Sequence, residues 1–246
     1  MHTDFSSSSE PSHISISNII PFFQSIIDLD NFGVCRYECL ARLIDQSMTT
    51  YKPESFMQFI EREAYTANLS EHMLMQCVHA FEHQNMPWNI NITASECLQP
   101  YLCEHLTSAL PYVPNFGHVG LELSQQDALS IMPHLPEFID RCRRLNVGVY
   151  IDNVTDMTVA AQRLFSLDLA GFKLSERIVN QANEDNQIAD YIGLMTQHAN
   201  ANNMQVIAEL VEQENTLFTL RGLGIRYAQG YLLGKPKQTL TSIFEH

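Results

Sequence analysis

The chain has 246 residues, of which 45% are hydrophobic, and it carries a formal net charge of −14 at pH 7. Such a charge argues against a sequence-independent grip on nucleic acid polymers, because that grip is built from Lys and Arg side chains opposite phosphates. No apolar run approaches the roughly 20 residues needed to cross a bilayer, and the first residues lack the basic start and apolar middle of a secretory signal. We therefore expect a globular cytoplasmic protein that binds neither nucleic acid polymers nor a membrane.

Residues 1–17 are Ser-rich and polar, so they are predicted to form a flexible tail. From residue 18 onwards, short apolar runs alternate with longer segments of helical period. The predicted strands are, in chain order, "ISNIIPFFQSIIDL", "GVCRYECLARLI", "WNINIT", "HVGLELS", "VGVYIDN", "LAGFKLS", "MQVIAELV" and "YAQGYLLG". Helices are predicted over residues 54–84 and near residues 95–110, 134–145, 158–166, 186–202 and 213–223.

This alternation of strands and helices predicts an α/β fold with parallel strand pairing. At this chain length, eight strands favour a closed (β/α)8 barrel of the TIM type, which would occupy residues 18–246. An open doubly wound sheet is the alternative fold. It is disfavoured because no predicted strand is followed by a GxGxxG or GxxxxGK[ST] loop.

Polar side chains interrupt six of the predicted strands at or near their carboxyl ends. They are Glu38, Asn91, Glu122, Asp152, Lys173 and Glu209. In a barrel the carboxyl ends of the strands meet at one rim, so these side chains are expected to surround one cavity. Carboxylate and amide oxygens are the ligands that Mg²⁺ and Mn²⁺ prefer, while a Lys and a further Glu supply a positive charge and a candidate base. Taken singly, each of the six is equally compatible with a strand end that faces solvent.

Eight segments, in order and at matching spacing, resemble the EAL domain family, which comprises cyclic di-GMP phosphodiesterases and their degenerate relatives. "PFFQSI" resembles the opening strand, "YECLARL" the Glu-Ala-Leu motif followed by Arg, "NINIT" the Asn-Leu-Ser segment and "LELSQ" the Glu-Ile-Thr-Glu segment. "VYIDNVTDM" matches the Asp-Asp-Phe-Gly-Thr-Gly loop, "FKLS" Lys-Ile-Asp, "VIAELVE" Ala-Glu-Gly-Val-Glu, and "YAQGYLLGKP" the closing Gln-Gly-Tyr strand. The resemblance implies a modified TIM barrel whose first strand is antiparallel to the others.

The resemblance also implies roles for the residues at matching positions. The implied ligands of a first Mg²⁺ or Mn²⁺ ion are Glu38, Asn91, Glu122 and Asp152, with Asn153 as a weakened ligand of a second ion. Glu209 is implied to activate the attacking water, and Lys173 to orient water and substrate. The residues implied to contact or support bound cyclic di-GMP are Leu40, Arg42, Asp152, Glu212 and Gln229.

Several departures from the family pattern fall around the second metal position. Asn153 replaces its second Asp, and an amide oxygen is a neutral and weaker ligand than a carboxylate. Residues 154–157 replace Phe-Gly-Thr-Gly, Gln125 replaces a Glu, Ser175 an Asp and Leu210 a Gly. Each change removes negative charge or backbone freedom, so the second metal site is predicted to be lost.

Asp156 lies close to this altered position in the sequence. It precedes a predicted helix, so an N-cap at Thr155 or Asp156 is favoured over a replacement metal ligand at Asp156.

Three functions remain open from the sequence. The favoured hypothesis is a degenerate regulatory protein that binds cyclic di-GMP, or a protein partner, and hydrolyses little or no nucleotide. One alternative is a slow phosphodiesterase, dependent on Mg²⁺ or Mn²⁺, that yields the linear dinucleotide. The other is an interaction protein that has lost both ligand and metal. A homodimer is a further expectation from the resemblance.

Overall fold

The structure is a computed structural model that describes residue 11 and residues 14–112, 119–155, 158–182 and 184–240. Most of the predicted tail lies outside these residues, and so does Asp156 with its predicted role. Near the amino-terminal end of the described residues, a short 3-10 helix at Ile16–Asn18 leads directly into the first strand.

Strands and helices alternate along the chain as the sequence predicts. The strands are β1 (Ile19–Asp28), β2 (Val34–Ile44), β3 (Thr50–Tyr51), β4 (Trp88–Ile92), β5 (Val119–Ser124), β6 (Gly148–Val154), β7 (Gly171–Leu174), β8 (Gln205–Ala208) and β9 (Tyr227–Ala228). The α-helices of the described residues are α1 (Met57–Arg62), α2 (Thr66–Phe81), α3 (Ala94–Cys97), α4 (Tyr101–Ala109), α5 (Gln125–Ser130), α6 (Leu135–Arg144), α7 (Val159–Leu164), α8 (Glu176–Ala182), α9 (Asn186–Ala201) and α10 (Glu214–Gly222). Within the described ranges, no helix has the length and apolar character needed to cross a bilayer.

The sheet closes on itself as a barrel. Its strand order is β1-β9-β8-β7-β6-β5-β4-β2, and β2 pairs back with β1. The pairings from β2 through β4 to β9 are parallel, whereas β1 is antiparallel to both of its neighbours. The predicted (β/α)8 barrel with an antiparallel first strand is therefore confirmed. Strand β3 lies outside the ring, and among the described residues it pairs only with the end of β2.

An ion pair supports the point where β1 meets β9. Arg226, just before β9, donates from Nε to Asp28 Oδ1 at 3.0 Å and from Nη2 to Asp28 Oδ2 at 2.6 Å. The hydrogen bonds from Arg226 hold the pKa of Asp28 below its usual value. This two-pronged contact helps to fix the short β1–β9 pairing, which has only two residue pairs.

The hydrophobic core lies between the outer face of the barrel and the surrounding helices. Trp88 of β4 is fully buried and stacks on Phe81 of α2, with ring centroids 5.7 Å apart and planes 12° apart. Phe81 also meets the edge of Phe23 of β1 at 5.5 Å. Aromatic residues of two strands thus anchor α2 against the closing seam of the barrel.

Inside the barrel, Tyr150 of β6 fills a slot made by glycines. A Cβ atom at Gly120 would lie 2.8 Å from the Tyr150 ring and 2.1 Å from Asn89 Oδ1. A Cβ atom at Gly171 would lie 2.9 Å from the same ring. Tyr150 is 3% exposed, and its hydroxyl donates to Gln205 Oε1 at 2.8 Å. Glycines on the flanking strands therefore make room for a polar-tipped aromatic layer inside the barrel.

The sequence did not predict every element. Helices α5 and α8 were missed because they are short and follow strands almost directly, and strand β3 was missed because it has only two residues. The cap predicted at Thr155 is wrong, since Thr158 is the N-cap of α7 and accepts from the Ala161 N–H at 3.3 Å. Glu38 lies in the middle of β2 and not near its carboxyl end, because β2 continues past the rim to pair with β1 and β3.

We expect Gly120→Ala to destabilise the fold by about 1–3 kcal/mol, because the new Cβ has no room beside Asn89 and Tyr150. Gly193→Ala in α9 is the matched control. Its Cβ would meet no heavy atom within 4 Å, and Ala favours a helix over Gly by up to about 1 kcal/mol. Urea unfolding measures the free energy of unfolding of both variants. Equal stability of the two variants would contradict the packed slot.

Candidate functional site

Lys173 of β7 lies at the centre of the rim, fully buried, with carboxylates around its ammonium group. Its Nζ is 2.8 Å from Glu38 Oε2, 2.9 Å from Glu122 Oε2, 3.0 Å from Glu209 Oε1 and 3.3 Å from Asp152 Oδ1. We call these five residues the Lys173 cluster. The structure thus brings together five of the six polar residues that the sequence placed at one rim.

The parallel register explains why residues far apart in sequence meet here. Asn91 of β4 lies opposite Glu122 of β5, and Ser124 of β5 lies opposite Asp152 of β6. Glu209 follows the last residue of β8, where its N–H donates to the Leu174 carbonyl at 3.0 Å. The adjacent strand ends therefore deliver one polar side chain each to the same level of the barrel.

Amide side chains hold Glu38 in place. Asn91, the sixth predicted residue, donates from Nδ2 to Glu38 Oε1 at 2.9 Å. Gln229 donates from Nε2 to Glu38 Oε2 at 2.6 Å and to Gln24 Oε1 at 3.0 Å. Gln24 was missed by the sequence reasoning, although it is the polar residue of "PFFQSI" and pairs directly with Glu38 across β1 and β2.

The Lys173 cluster sets one positive charge against four carboxyl groups. Burial alone would raise the pKa of Glu38, but Lys173 and the amide donors lower that pKa to about 2. Burial and the negative charges of Glu38 and Asp152 raise the pKa of Glu122 well above its usual value. Burial raises the pKa of Glu209 to about 8, with Asp152 and Glu38 adding to the shift and Lys173 opposing it. The pKa of Glu38 is therefore held low and that of Glu209 is raised, so Glu38 carries the negative charge more readily than Glu209.

Asp152 and Asn153 form an irregularity in the pairing of β6 with β7, which shifts register between Ile151 and Val154. Asn153 adopts a left-handed conformation with φ of 50° and is exposed. Asn tolerates this conformation better than most residues. The Thr155 N–H that follows donates to Gln125 Oε1 at 2.9 Å. An amide thus fixes the loop beyond Asn153 without adding negative charge.

Leu210, on the other side of the site, also adopts a left-handed backbone conformation. It follows Glu209, has φ of 51°, and is 49% exposed. A left-handed conformation costs a branched side chain roughly 1–2 kcal/mol relative to Gly. The rim therefore carries an exposed apolar side chain on strained backbone directly beside Glu209.

Arg42 and Leu40 lie further along β2. Arg42 is 6% exposed and donates from Nη1 to the Ala41 carbonyl at 2.8 Å, while its buried Nε has no hydrogen-bond partner among the described residues. Leu40 lines a cavity of about 390 Å³ together with Glu38 and Asp152. The rest of the lining comes mainly from β4 and from helices α1 and α2, including Met57, Leu69, Met73, Ile90 and Ile92. A mostly apolar recess therefore adjoins the acidic centre.

Two residues of the altered motifs lie apart from these contacts. Glu212 is exposed in the segment between β8 and α10, and among the described residues it has no bond to the Lys173 cluster. Ser175 is buried, and its Oγ has no hydrogen-bond partner in the described part of the chain. The structure therefore does not bring Glu212 into the site that the sequence assigned to it.

A hard divalent cation suits the donor set formed by Glu38, Asn91, Glu122 and Asp152. Asp152 Oδ1 is buried and lies within ion-pair distance of Lys173, but it lacks a hydrogen-bond partner among the described residues. In the described ranges, however, no three His, Cys, Asp or Glu side chains are arranged to hold an ion. The carboxylates turn towards Lys173 instead. The donor chemistry therefore suits a hard cation, while the arrangement seen pairs the carboxylates with Lys173.

Comparison with known proteins points to one family. The family model described as "EAL domain" matches residues 11–236. The chain is 22% identical over 201 residues to the bifunctional diguanylate cyclase/cyclic di-GMP phosphodiesterase MucR of Pseudomonas aeruginosa, and 20% identical over 232 residues to the probable cyclic di-GMP phosphodiesterase PdeI of Escherichia coli. These alignments cover 78% and 91% of this chain but only 29% of each relative.

Solved structures of similar fold carry bound nucleotide. The PaMucR phosphodiesterase in complex with c-di-GMP superposes with a TM-score of 0.80 at 20% identity, covering 90% of this chain and 92% of that one. The FimX EAL domain from Pseudomonas aeruginosa bound to c-di-GMP gives 0.80 at 19% identity, with coverages of 91% and 92%. The Bacillus subtilis YkuI protein, in complex with c-di-GMP and calcium, gives 0.78 at 18% identity, with coverages of 93% and 58%. At these identities the likeness shows the fold.

The raised pKa of Glu209 makes stability depend on pH. A carboxyl group with a pKa of 4.5 when unfolded and about 8 when folded stabilises the fold at low pH, and this contribution is lost as pH rises to about 8. Glu209→Gln removes the titrating carboxyl group and therefore removes this loss of stability at higher pH. We expect its advantage in free energy of unfolding over the unmodified protein to grow between pH 4.5 and 8, with a slope of at most about 1.36 kcal/mol per pH unit.

Urea unfolding in EDTA across this pH range measures the difference. Glu212→Gln is the matched control for the substitution itself, because Glu212 is exposed and bonded to none of the described cluster residues. A flat difference for Glu209→Gln across the pH range would contradict the raised pKa.

Proposed function

Because the chain belongs to the EAL domain family, we propose that it is a degenerate regulatory protein that binds cyclic di-GMP at the Lys173 cluster and hydrolyses it slowly or not at all. The observation that carries the proposal is Asn153. It stands beside Asp152 at the rim, exposed, where the family pattern has a second carboxylate. An amide there leaves a second cation without its charged ligand, while the Lys173 cluster and Asn91 still meet at the rim.

The energetic consequence of losing one cation of a pair is large. Bound cations lower the pKa of coordinated water and offset the charge that develops on phosphate oxygens, and each supplies several kcal/mol. Each 1.36 kcal/mol corresponds to about a tenfold change in rate. Hydrolysis therefore falls by orders of magnitude when Asn153 replaces the carboxylate, whereas ground-state binding depends less on the second ion.

Two features of the rim support nucleotide binding, namely a hydrogen-bond donor that has no partner among the described residues and an apolar recess. Arg42 offers a buried Nε with no hydrogen-bond partner among the described residues, which suits a phosphate oxygen. The recess of about 390 Å³ next to Leu40 is mostly apolar and has the character of a pocket for a flat base. A Mg²⁺ or Mn²⁺ ion held by Glu38, Asn91, Glu122 and Asp152 would reduce the repulsion between the dinucleotide and a chain of net charge −14.

A slow phosphodiesterase that yields the linear dinucleotide is the second candidate. The observation in its favour is that Glu209 lies 3.0 Å from Lys173 and has its pKa raised to about 8, which suits a general base near neutral pH. In this case Lys173 orients the reacting groups, and the first cation alone supports turnover.

Regulation through a partner is part of the proposal. The chain spans less than a third of the curated relatives it matches, so what the remainder of those proteins does is not carried over to it. We propose that the barrel domain of residues 18–246 transmits nucleotide binding to a protein partner or to a second copy of the chain in the cytoplasm.

A combined binding and turnover assay tests the proposal. We expect calorimetry to detect cyclic di-GMP binding with Mg²⁺ or Mn²⁺ present, and chromatography to detect little linear product after long incubation. Arg42→Ala is expected to weaken binding by roughly tenfold or more, because it removes a charged hydrogen-bond donor. The matched control is Arg144→Ala, at the exposed end of α6, with unchanged affinity. Rapid turnover that Glu209→Gln abolishes would favour the enzyme instead.

Restoring the carboxylate tests the assigned cause of the loss. We expect Asn153→Asp to raise the rate of linear product formation by about tenfold or more, and further when residues 154–157 are changed to Phe-Gly-Thr-Gly. Asn203→Asp is the matched control, since Asn203 is also exposed and left-handed, with φ of 57°, but lies just before β8 at the opposite end of the barrel. An unchanged rate in both variants would show that the second cation is not the defect.

A further inference from the structure

Beneath the Lys173 cluster, a chain of buried polar side chains runs deeper into the barrel. Arg36 of β2 donates from Nη1 to Asn89 Oδ1 at 2.7 Å. Asn89 of β4 donates from Nδ2 to Glu122 Oε1 at 2.7 Å. Asn89 and Glu122 are both 0% exposed, and Arg36 is 9% exposed. A guanidinium group is thus connected to a carboxylate of the site through one amide.

The two neighbours of Asn89 fix which way its amide faces. A guanidinium group only donates hydrogen bonds, so the Asn89 oxygen must face Arg36. The Asn89 NH₂ group then faces Glu122, and Oε1 of Glu122 accepts. The reverse orientation would set the amide NH₂ group against a guanidinium and the amide oxygen against Glu122 Oε1. The contact with Arg36 therefore ensures that Glu122 Oε1 accepts a hydrogen bond from the Asn89 NH₂ group.

Neighbouring residues keep this arrangement in place. The Arg36 guanidinium lies over the Tyr150 ring, with Cζ 5.2 Å from the centroid. Tyr150 is anchored by its hydrogen bond to Gln205, and Gly120 leaves the space that the Asn89 side chain occupies. The chain of contacts therefore has little room to rearrange.

We propose that Arg36, acting through Asn89, is a positioning residue that anchors Glu122 Oε1 and leaves Oε2 directed at the centre of the Lys173 cluster. Oε2 already accepts from Lys173 Nζ at 2.9 Å. With Oε1 held by Asn89, Glu122 would offer only Oε2 to a cation. The cation role rests on the proposed function, whereas the positioning itself does not.

The first experiment measures Mn²⁺ affinity by titration, with electron paramagnetic resonance reporting free ion. Asn89→Leu removes the amide at similar size, and we expect its Mn²⁺ dissociation constant to rise about 10–100-fold, as for other residues that orient metal ligands. Arg36→Met is expected to raise it less, and Arg36→Lys, which keeps a charged donor, to recover part of that loss. Arg144→Met, which makes the same substitution at the exposed end of α6, is the control with affinity within about twofold of the unmodified protein.

The double variant distinguishes positioning from packing. If Arg36 acts through Asn89, adding Arg36→Met to Asn89→Leu changes the Mn²⁺ dissociation constant by less than about twofold. Fully multiplicative losses would overturn the inference, and so would an unchanged affinity in Asn89→Leu where Glu122→Gln weakens binding.

A second measurement, in EDTA, separates this inference from the proposed function. Urea unfolding gives the coupling between Arg36→Met and Glu122→Gln, which we expect to be at least threefold in the unfolding equilibrium constant and to vanish in the Asn89→Leu background. Coupling that is absent, or that persists without Asn89, overturns the relay. If the unmodified protein binds no Mn²⁺ but shows this coupling, the cation site of the proposed function fails and the positioning of Glu122 stands.

Discussion

The contact of one ammonium group with four carboxylates is the constraint on which the rest of the site depends. Bringing several carboxylates into a barrel interior costs several kcal/mol per charge unless a cation and hydrogen-bond donors compensate. Lys173 supplies that cation from the middle of the ring, where β7 places it within 3.3 Å of all four groups. The site is therefore assembled by the fold itself, and its carboxylates converge on a charge that belongs to the chain.

This constraint extends downward through the barrel. Polar side chains of β1, β2 and β4 (Gln24, Arg36 and Asn89) share the interior with the acidic residues, and hydrogen bonds connect each of them to the level above. A buried polar group needs a partner, so each member fixes the orientation of the next. The glycines beside Tyr150 create the space that the Asn89 side chain and the Tyr150 ring occupy. The packing of the barrel interior and its hydrogen bonding therefore depend on the same residues.

The sequence was informative where a polar residue broke an apolar strand near the rim. Alternating strands and helices were enough to predict the barrel, and the six interrupting residues were enough to predict where the polar side chains gather. The pattern failed where geometry across strands decides the outcome. Arg36, Asn89 and Gln24 are interior only because of register and closure, which no single strand reveals. Glu212 shows the opposite failure, because a motif position alone did not place its side chain in the site.

Two carboxylates of the Lys173 cluster, Asp152 and Glu209, are each followed by a residue in the left-handed conformation, Asn153 and Leu210. This turn of the backbone interrupts the regular strand conformation immediately after each carboxylate, although Val154 still pairs with Leu174 and Val211 is again buried. Mutational tolerance at these two positions is consequently governed by the sign of φ. Gly, Asn and Asp are admissible there on conformational grounds, whereas β-branched residues are disfavoured whatever contacts they offer. Position 153, which decides between amide and carboxylate, is therefore one where the backbone accepts either.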